Sequence, residues 1–102
     1  MKKRSTITIN DEAFEFSLDE PVFPTGVVCR LLQMPIWALK QVDREKLISP
    51  PRKGRTARLY SVNEMKRLKH VWYLMKRRKV KIDGVKVILE MEIKMKNKEA
   101  KV

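Results

Sequence analysis

The sequence predicts a mainly α-helical fold of the winged helix-turn-helix class, with a small β wing and a short C-terminal helix suited to dimerisation. Three observations carry that expectation. Two short apolar periodicities of helical spacing are separated by Gln33-Met34-Pro35, a basic loop centred on Gly54 lies between two short extended stretches, and a capping box at Ser61 opens a longer helix. A chain of 102 residues suffices for one compact domain with tails, and the pattern divides it into an arm or short hairpin over 1–21, a winged helix-turn-helix over 22–82 and a C-terminal helix over 83–102.

The elements follow in order. In residues 5–18, Ile7 and Ile9, then Phe14, Phe16 and Leu18, alternate with polar neighbours at period two. This pattern fits a hairpin turning near Asn10-Asp11, and equally an extended arm that orders on docking. Pro21 and Pro24 break the pattern and stiffen the approach to the next element. From Thr25 to Leu32, Val27, Val28, Leu31 and Leu32 recur at helical spacing, with Thr25 as the expected N-cap. Pro35 can begin a second helix in which Ile36, Leu39 and Val42 share the inner face while Lys40, Gln41 and Arg44 point outward. Next, Leu47-Ile48 is expected as a short strand, residues 50–56 as the basic loop and residues 57–60 as the returning strand of the wing. Ser61-Val62-Asn63-Glu64 then forms the capping box of a third helix, whose Met65, Leu68, Val71, Trp72 and Met75 make one buried stripe. The last helix is expected to start near Asp83 and run to about Lys98, with Val85 and Leu89 turned inward and Ile88, Met91 and Met95 forming a seam for a second copy.

Charge narrows the partner class. Lys and Arg total 24 against 12 acidic residues, a formal net charge of +12. Between Arg52 and Lys81, twelve basic residues stand against Glu64 alone, whereas Ser5 to Cys29 holds Asp11, Glu12, Glu15, Asp19 and Glu20 and no basic residue. A surface shaped only for solubility mixes its signs, so this segregation points to a polyanion, and the helix-turn-helix pattern to double-stranded DNA. The wing cations Arg52, Lys53, Arg55 and Arg58 suit phosphates or a minor groove. The run Lys76 to Lys81 fits either the DNA backbone or a solvated helix end.

The stretch from Phe23 to Glu92 resembles the DNA-binding domain of the mercury-resistance-regulator (MerR) family. The likeness rests on Leu39-Lys40 followed by Asp43-Arg44, then Leu47-Ile48-Ser49-Pro50, then Arg58-Leu59-Tyr60-Ser61, each at the family's spacing. The continuation from Lys81 to Glu90 is similar to the heat-shock-repressor-like branch, which favours repression. The resemblance implies a second helix lying in the major groove, a wing touching flanking backbone, and a homodimer joined by antiparallel C-terminal helices. Carried over position by position, it assigns Lys40 and Arg44 to groove and phosphate contacts and Arg58 and Tyr60 to the wing. Trp37 and Gln41 are expected to join the DNA contact from the same helix, Arg52, Lys53 and Arg55 are wing cations by position, and the spacing of Ile88, Met91 and Met95 places them at the expected dimer seam. The chain departs from the family where Gln41 and Val42 replace a commonly aromatic pair and where Pro35 and Trp37 replace small residues near the start of the second helix, so the resemblance does not carry over a target sequence. Each assignment has a purely structural alternative: Arg44 could pair with Asp43 or Glu45, and Tyr60 could close the core under the wing.

Other chemistry is poorly represented. One His, one Cys, no Gly-rich phosphate loop and no nucleophile beside a base argue against an enzyme. His70 has no ligand cluster around it in sequence and Cys29 falls inside the first helix as a buried thiol, so no metal or cofactor is expected. No apolar run reaches the roughly 20 residues of a membrane span, no secretory signal precedes the domain, and no effector-binding segment follows Met95, so a cytoplasmic, nucleoid-associated bacterial protein is expected. The function predicted is a dimeric DNA-binding transcriptional regulator acting on pseudo-palindromic sites. An excisionase-like or nucleoid architectural factor, and an adaptor that reuses the fold to bind protein, are the alternatives.

Overall fold

The computed structural model describes residues 4–9, 11–50 and 58–100. Their contacts group into two compact units, Met1–Lys69 and His70–Val102, with the division falling inside the third helix.

In the first unit the chain opens with a hairpin, β1 (Arg4–Ile9) and β2 (Glu12–Ser17), paired antiparallel from Arg4↔Ser17 to Ile9↔Glu12. Of the two forms the sequence allowed, the hairpin is therefore the one adopted. Asp11 turns the corner at φ 66°, a left-handed conformation that Asp tolerates better than most residues. A stitched segment follows: the Asn63 amide N–H donates to the Leu18 carbonyl at 3.1 Å, Asn63 Nδ2 donates to Asp19 Oδ1 at 2.6 Å, and the Val22 N–H donates to the Tyr60 carbonyl at 3.2 Å. The strand β3 (Phe23–Pro24) then pairs antiparallel with β4 (Leu59–Tyr60).

This pairing corrects the expected wing. Leu59-Tyr60 does return as a strand, but its partner is Phe23-Pro24 and not Leu47-Ile48, which form a bend. Local bonding explains the difference. Lys46 takes φ 55°, the Leu47 N–H folds back onto the Val42 carbonyl at 3.2 Å, and Pro50 lacks the N–H that a ladder would need. The expected strand residue Ala57 and the basic loop residues Arg52, Lys53 and Arg55 lie outside the described residues.

Two helices form the helix-turn-helix. The first, α1 (Thr25–Leu32), has Pro24, the last residue of β3, at its N-cap position, and the proline ring has no oxygen to cap with. Thr25 is therefore the first helical residue and not the cap. Gln33 ends the helix in the left-handed region at φ 51°, and the Met34 N–H reaches the Cys29 carbonyl at 3.0 Å. The second helix, α2 (Ile36–Arg44), follows from Pro35, whose carbonyl accepts the Ala38 and Leu39 N–H groups. Its buried side is Ala38, Leu39 and Val42. Ile36, expected inside, is exposed, since Ala38 takes the third inner position. With Val28, Met34, Ile48, Tyr60 and Leu68 these residues make the core of the first unit.

The third helix, α3 (Val62–Lys76), starts from the expected capping box: the Ser61 N–H donates to Glu64 Oε1 at 2.9 Å and the Glu64 N–H donates to Ser61 Oγ at 3.1 Å. In the second unit the helix continues through buried Val71 and Leu74, then closes at Lys79, φ 56°, with the Val80 N–H bonded to the Leu74 carbonyl at 3.0 Å. Leu74 was not among the expected stripe residues, whereas Trp72 and Met75 are only half-buried. The last helix, α4 (Ile82–Ala100), begins one residue before the expected Asp83 and buries Val85. Gly84 admits the turn closely, since a Cβ there would lie 2.8 Å from Val80 Cγ1. His70 Nε2 and Glu92 Oε1 meet at 2.8 Å and link α3 to α4.

Replacing Ser61 with Ala removes one half of the capping box at a buried position. Ser61→Ala is expected to lower unfolding free energy by about 1 kcal/mol, measured by urea denaturation, with the helical circular dichroism of the native protein retained.

Candidate nucleic-acid interface

The burial of Ala38, Leu39 and Val42 fixes which way α2 turns its other residues. Ile36, Trp37, Lys40, Gln41 and Arg44 fall on one stripe at spacings of one, three and four. Trp37 is 59% exposed, Ile36, Lys40 and Arg44 are exposed, and Gln41 is half-buried. This stripe joins two cations and an amide to two large apolar side chains, one of them able to donate through an indole N–H. Such a mixture fits a groove in which phosphates flank base edges and thymine methyls.

The C-terminal turn of α2 leads into a polar knot. Asp43 Oδ1 accepts the Ser49 hydroxyl at 2.7 Å and lies 2.6 Å from Arg58 Nε. Arg58 Nη1 donates to the Pro50 carbonyl. The Nε contact is one of charge more than of aligned hydrogen bonding, because this buried nitrogen has no bond partner of good geometry. Pro50 and Arg58, which flank the basic loop, are thereby joined to each other and to α2. The sequence reading brought Asp43, Ser49, Pro50 and Arg58 together as motif residues but missed that they bind one another. A signal was there in principle, since an acidic residue is an odd choice on a helix that faces a polyanion and calls for a nearby cation.

Tyr60 sits beneath this knot with 1% of its surface exposed. Of its two sequence readings the structure favours closing the core, and a hydroxyl reaching out to phosphate is not what this burial offers. Burial is also the main reason its hydroxyl is pushed up to about 12, with the Asp43 carboxylate adding to the shift and the Arg58 guanidinium opposing it. Cys29 is half-buried in α1, and burial pushes its thiol up as well, away from the thiolate.

Elsewhere cations line exposed surface. Arg30 on α1 and Lys66, Arg67 and Lys69 on α3 are exposed in the first unit, and Lys76, Arg77, Arg78, Lys79 and Lys81 in the second. On α4, Val87, Met91 and Met95 are all exposed at a spacing of four, and Met95 is 62% accessible. Ile88, expected in the same seam, is half-buried at its edge. Among the described residues no helix is long and apolar enough to cross a membrane.

Residues 23–92 match the family described as MerR HTH family regulatory protein. The chain is also similar to the heat shock protein HspR of Streptomyces coelicolor, with 32% identity over 79 residues that make up 78% of this chain and 52% of that protein. It thus spans about half the length of that curated relative. No solved structure matches the chain.

The raised Tyr60 hydroxyl makes alkaline stability a probe of this arrangement. A folded-state value near 12 against an ordinary 10 means that the neutral phenol is favoured by folding, so its contribution is complete below pH 10 and is lost as pH rises from 10 to 12. Urea midpoints measured across that window are expected to fall more steeply in the native protein than in Tyr60→Phe, which has no phenol to ionise.

Proposed function

Because the chain belongs to the MerR family of helix-turn-helix regulatory proteins, we propose that it is a double-stranded DNA-binding transcriptional regulator that acts as a repressor and binds as a homodimer. The observation that carries this reading is the exposed stripe of α2, in which Trp37, Lys40, Gln41 and Arg44 stand opposite a buried Ala38, Leu39 and Val42. A helix held by one face on a small domain of net charge +12 offers its other face to a major groove. Lys40 and Arg44 supply phosphate and base-edge donors, Gln41 an amide suited to adenine, and Trp37 apolar contact or an indole donor. Arg52, Lys53 and Arg55 of the basic loop neutralise flanking phosphates. Likeness to a heat shock protein supports a link to stress, and a DNA-bound regulator works in the cytoplasm, on the nucleoid.

The exposed side of α4 supports the dimer reading. A helix of 19 residues is about 28 Å long, and its exposed Val87, Met91 and Met95 form an apolar strip along one side. Packed against the same strip of a second copy, it would set two α2 helices on related half-sites of a pseudo-palindrome.

Selection of duplexes from a randomised pool near physiological salt tests the function. The expected product is an inverted repeat of fixed spacing, and Lys40→Ala is expected to lose discrimination at one position of each half-site at a cost of about 1–3 kcal/mol. Bound DNA with no shared motif would favour an architectural role, and no bound DNA an adaptor that binds protein. The dimer has its own test: Met91→Glu buries a charge in the seam, and sedimentation equilibrium is expected to show the native protein as a dimer and this variant as a monomer.

A further inference from the structure

The family resemblance gives Arg58 to phosphate, yet its surroundings occupy it otherwise. Nε lies 2.6 Å from Asp43 Oδ1, Nη1 donates to the Pro50 carbonyl, and the Ser49 hydroxyl donates to the same Asp43 oxygen at 2.7 Å. Only 23% of the Arg58 side chain and 22% of the Asp43 side chain are accessible. To reach a phosphate, the guanidinium would have to leave a partly desolvated carboxylate next to a polyanion with, among the described residues, the Ser49 hydroxyl to satisfy it. In place, the pair is neutral and releases no counterion when DNA binds.

We propose that Arg58 is a positioning residue for sequence reading, which clamps Pro50 and its own strand to the C-terminal turn of α2 through Asp43 and does not itself neutralise a phosphate. The inference rests on the DNA-binding reading above. Arg is required for the clamp because its planar fork spans two separate acceptors, the Asp43 carboxylate and the Pro50 carbonyl, which a single ammonium cannot do in the same geometry. Asp43 is then explained too: it is an acid placed one residue before the exposed Arg44, tolerated because its charge is cancelled from the wing side. A clamp of this kind sets where two contacting elements meet a duplex without adding to the contact itself. Its loss should therefore reduce discrimination between sequences and leave general attraction to DNA unchanged.

The experiment compares the full chain with Arg58→Lys, Arg58→Ala and Asp43→Asn, each binding the duplex selected above and a mixed-sequence duplex over a range of salt. Circular dichroism and melting curves establish the temperature at which all are folded. Arg58→Lys keeps the charge, so it decides the matter even if Arg58→Ala fails to fold. For both Arg58→Lys and Asp43→Asn, the expected result is about a tenfold fall in the ratio of selected to mixed-sequence affinity. Mixed-sequence affinity and its salt slope should stay unchanged in Arg58→Lys, and Asp43→Asn, which leaves Arg58 uncompensated, should not lower them. The Asp43→Asn result is the sharper one, since removing a negative charge beside DNA otherwise tightens binding. The proposal is overturned if Arg58→Lys binds both duplexes as the native protein does; a folded Arg58→Ala that weakens both duplexes alike and reduces the salt slope by about one would then identify a phosphate contact. Native protein that retains DNA without a shared motif overturns the role of Arg58 but leaves DNA binding standing. Native protein that retains no duplex overturns the DNA-binding reading and this role with it.

Discussion

The first unit depends on a seam in which residues 18–24 are bonded to residues 59–63. Three kinds of interaction meet there: the two-residue β pairing, the Val22 N–H on the Tyr60 carbonyl, and the Asn63 amide groups on Leu18 and Asp19. Each is modest alone, since a net hydrogen bond contributes about 1 kcal/mol. Their effect is topological. They bring the chain entering α1 against the chain entering α3, so that Val28, Leu39, Val42, Leu68 and Tyr60 can be buried in one core. Without that closure α1 and α2 would be two helices of eight and nine residues, too short to persist in water on their own propensity.

From the closed core comes the orientation of the recognition face. A helix buries one stripe, so burying Ala38, Leu39 and Val42 forces Trp37, Lys40 and Arg44 outward. The knot around Asp43 adds a second restraint at the far end of the same helix, and it does so with groups that are mostly shielded from solvent, where charge pairing is stronger than at the surface. Orientation and restraint are separate contributions: the core decides which side chains of α2 face outward, and the knot ties Pro50 and Arg58 to the C-terminal turn of that helix.

The second unit is built on other terms. Val71, Leu74 and Val85 are its buried apolar residues, and the turn between α3 and α4 is held by Lys79 in the left-handed region and by the approach of Val80 to Gly84. Beyond that turn α4 carries more exposed apolar surface than a lone helix gains from, and Val87, Met91, Ile93 and Met95 are all at least half exposed. Val87, Met91 and Met95 lie along one side of α4, and Ile93 on the other.

The sequence by itself determined the helices, the capping box and the charge asymmetry, because each is a local matter of period, propensity or composition, whereas it left the N-terminal hairpin open against an extended arm. It also determined the outward placement of Lys40 and Arg44, since helical geometry leaves little choice once Leu39 and Val42 are inside. Only the tertiary structure decided what pairs with what. That Leu59-Tyr60 joins Phe23-Pro24, that Ala38 displaces Ile36 from the core, and that Arg58 turns inward to Asp43 and Pro50 all depend on which distant residues arrive at the same place. A two-residue strand has too few side chains to announce its partner, and an arginine reads the same in sequence whether it meets a phosphate or a carboxylate. The difference lies in desolvation and in the nearest opposite charge, and both are properties of the folded chain.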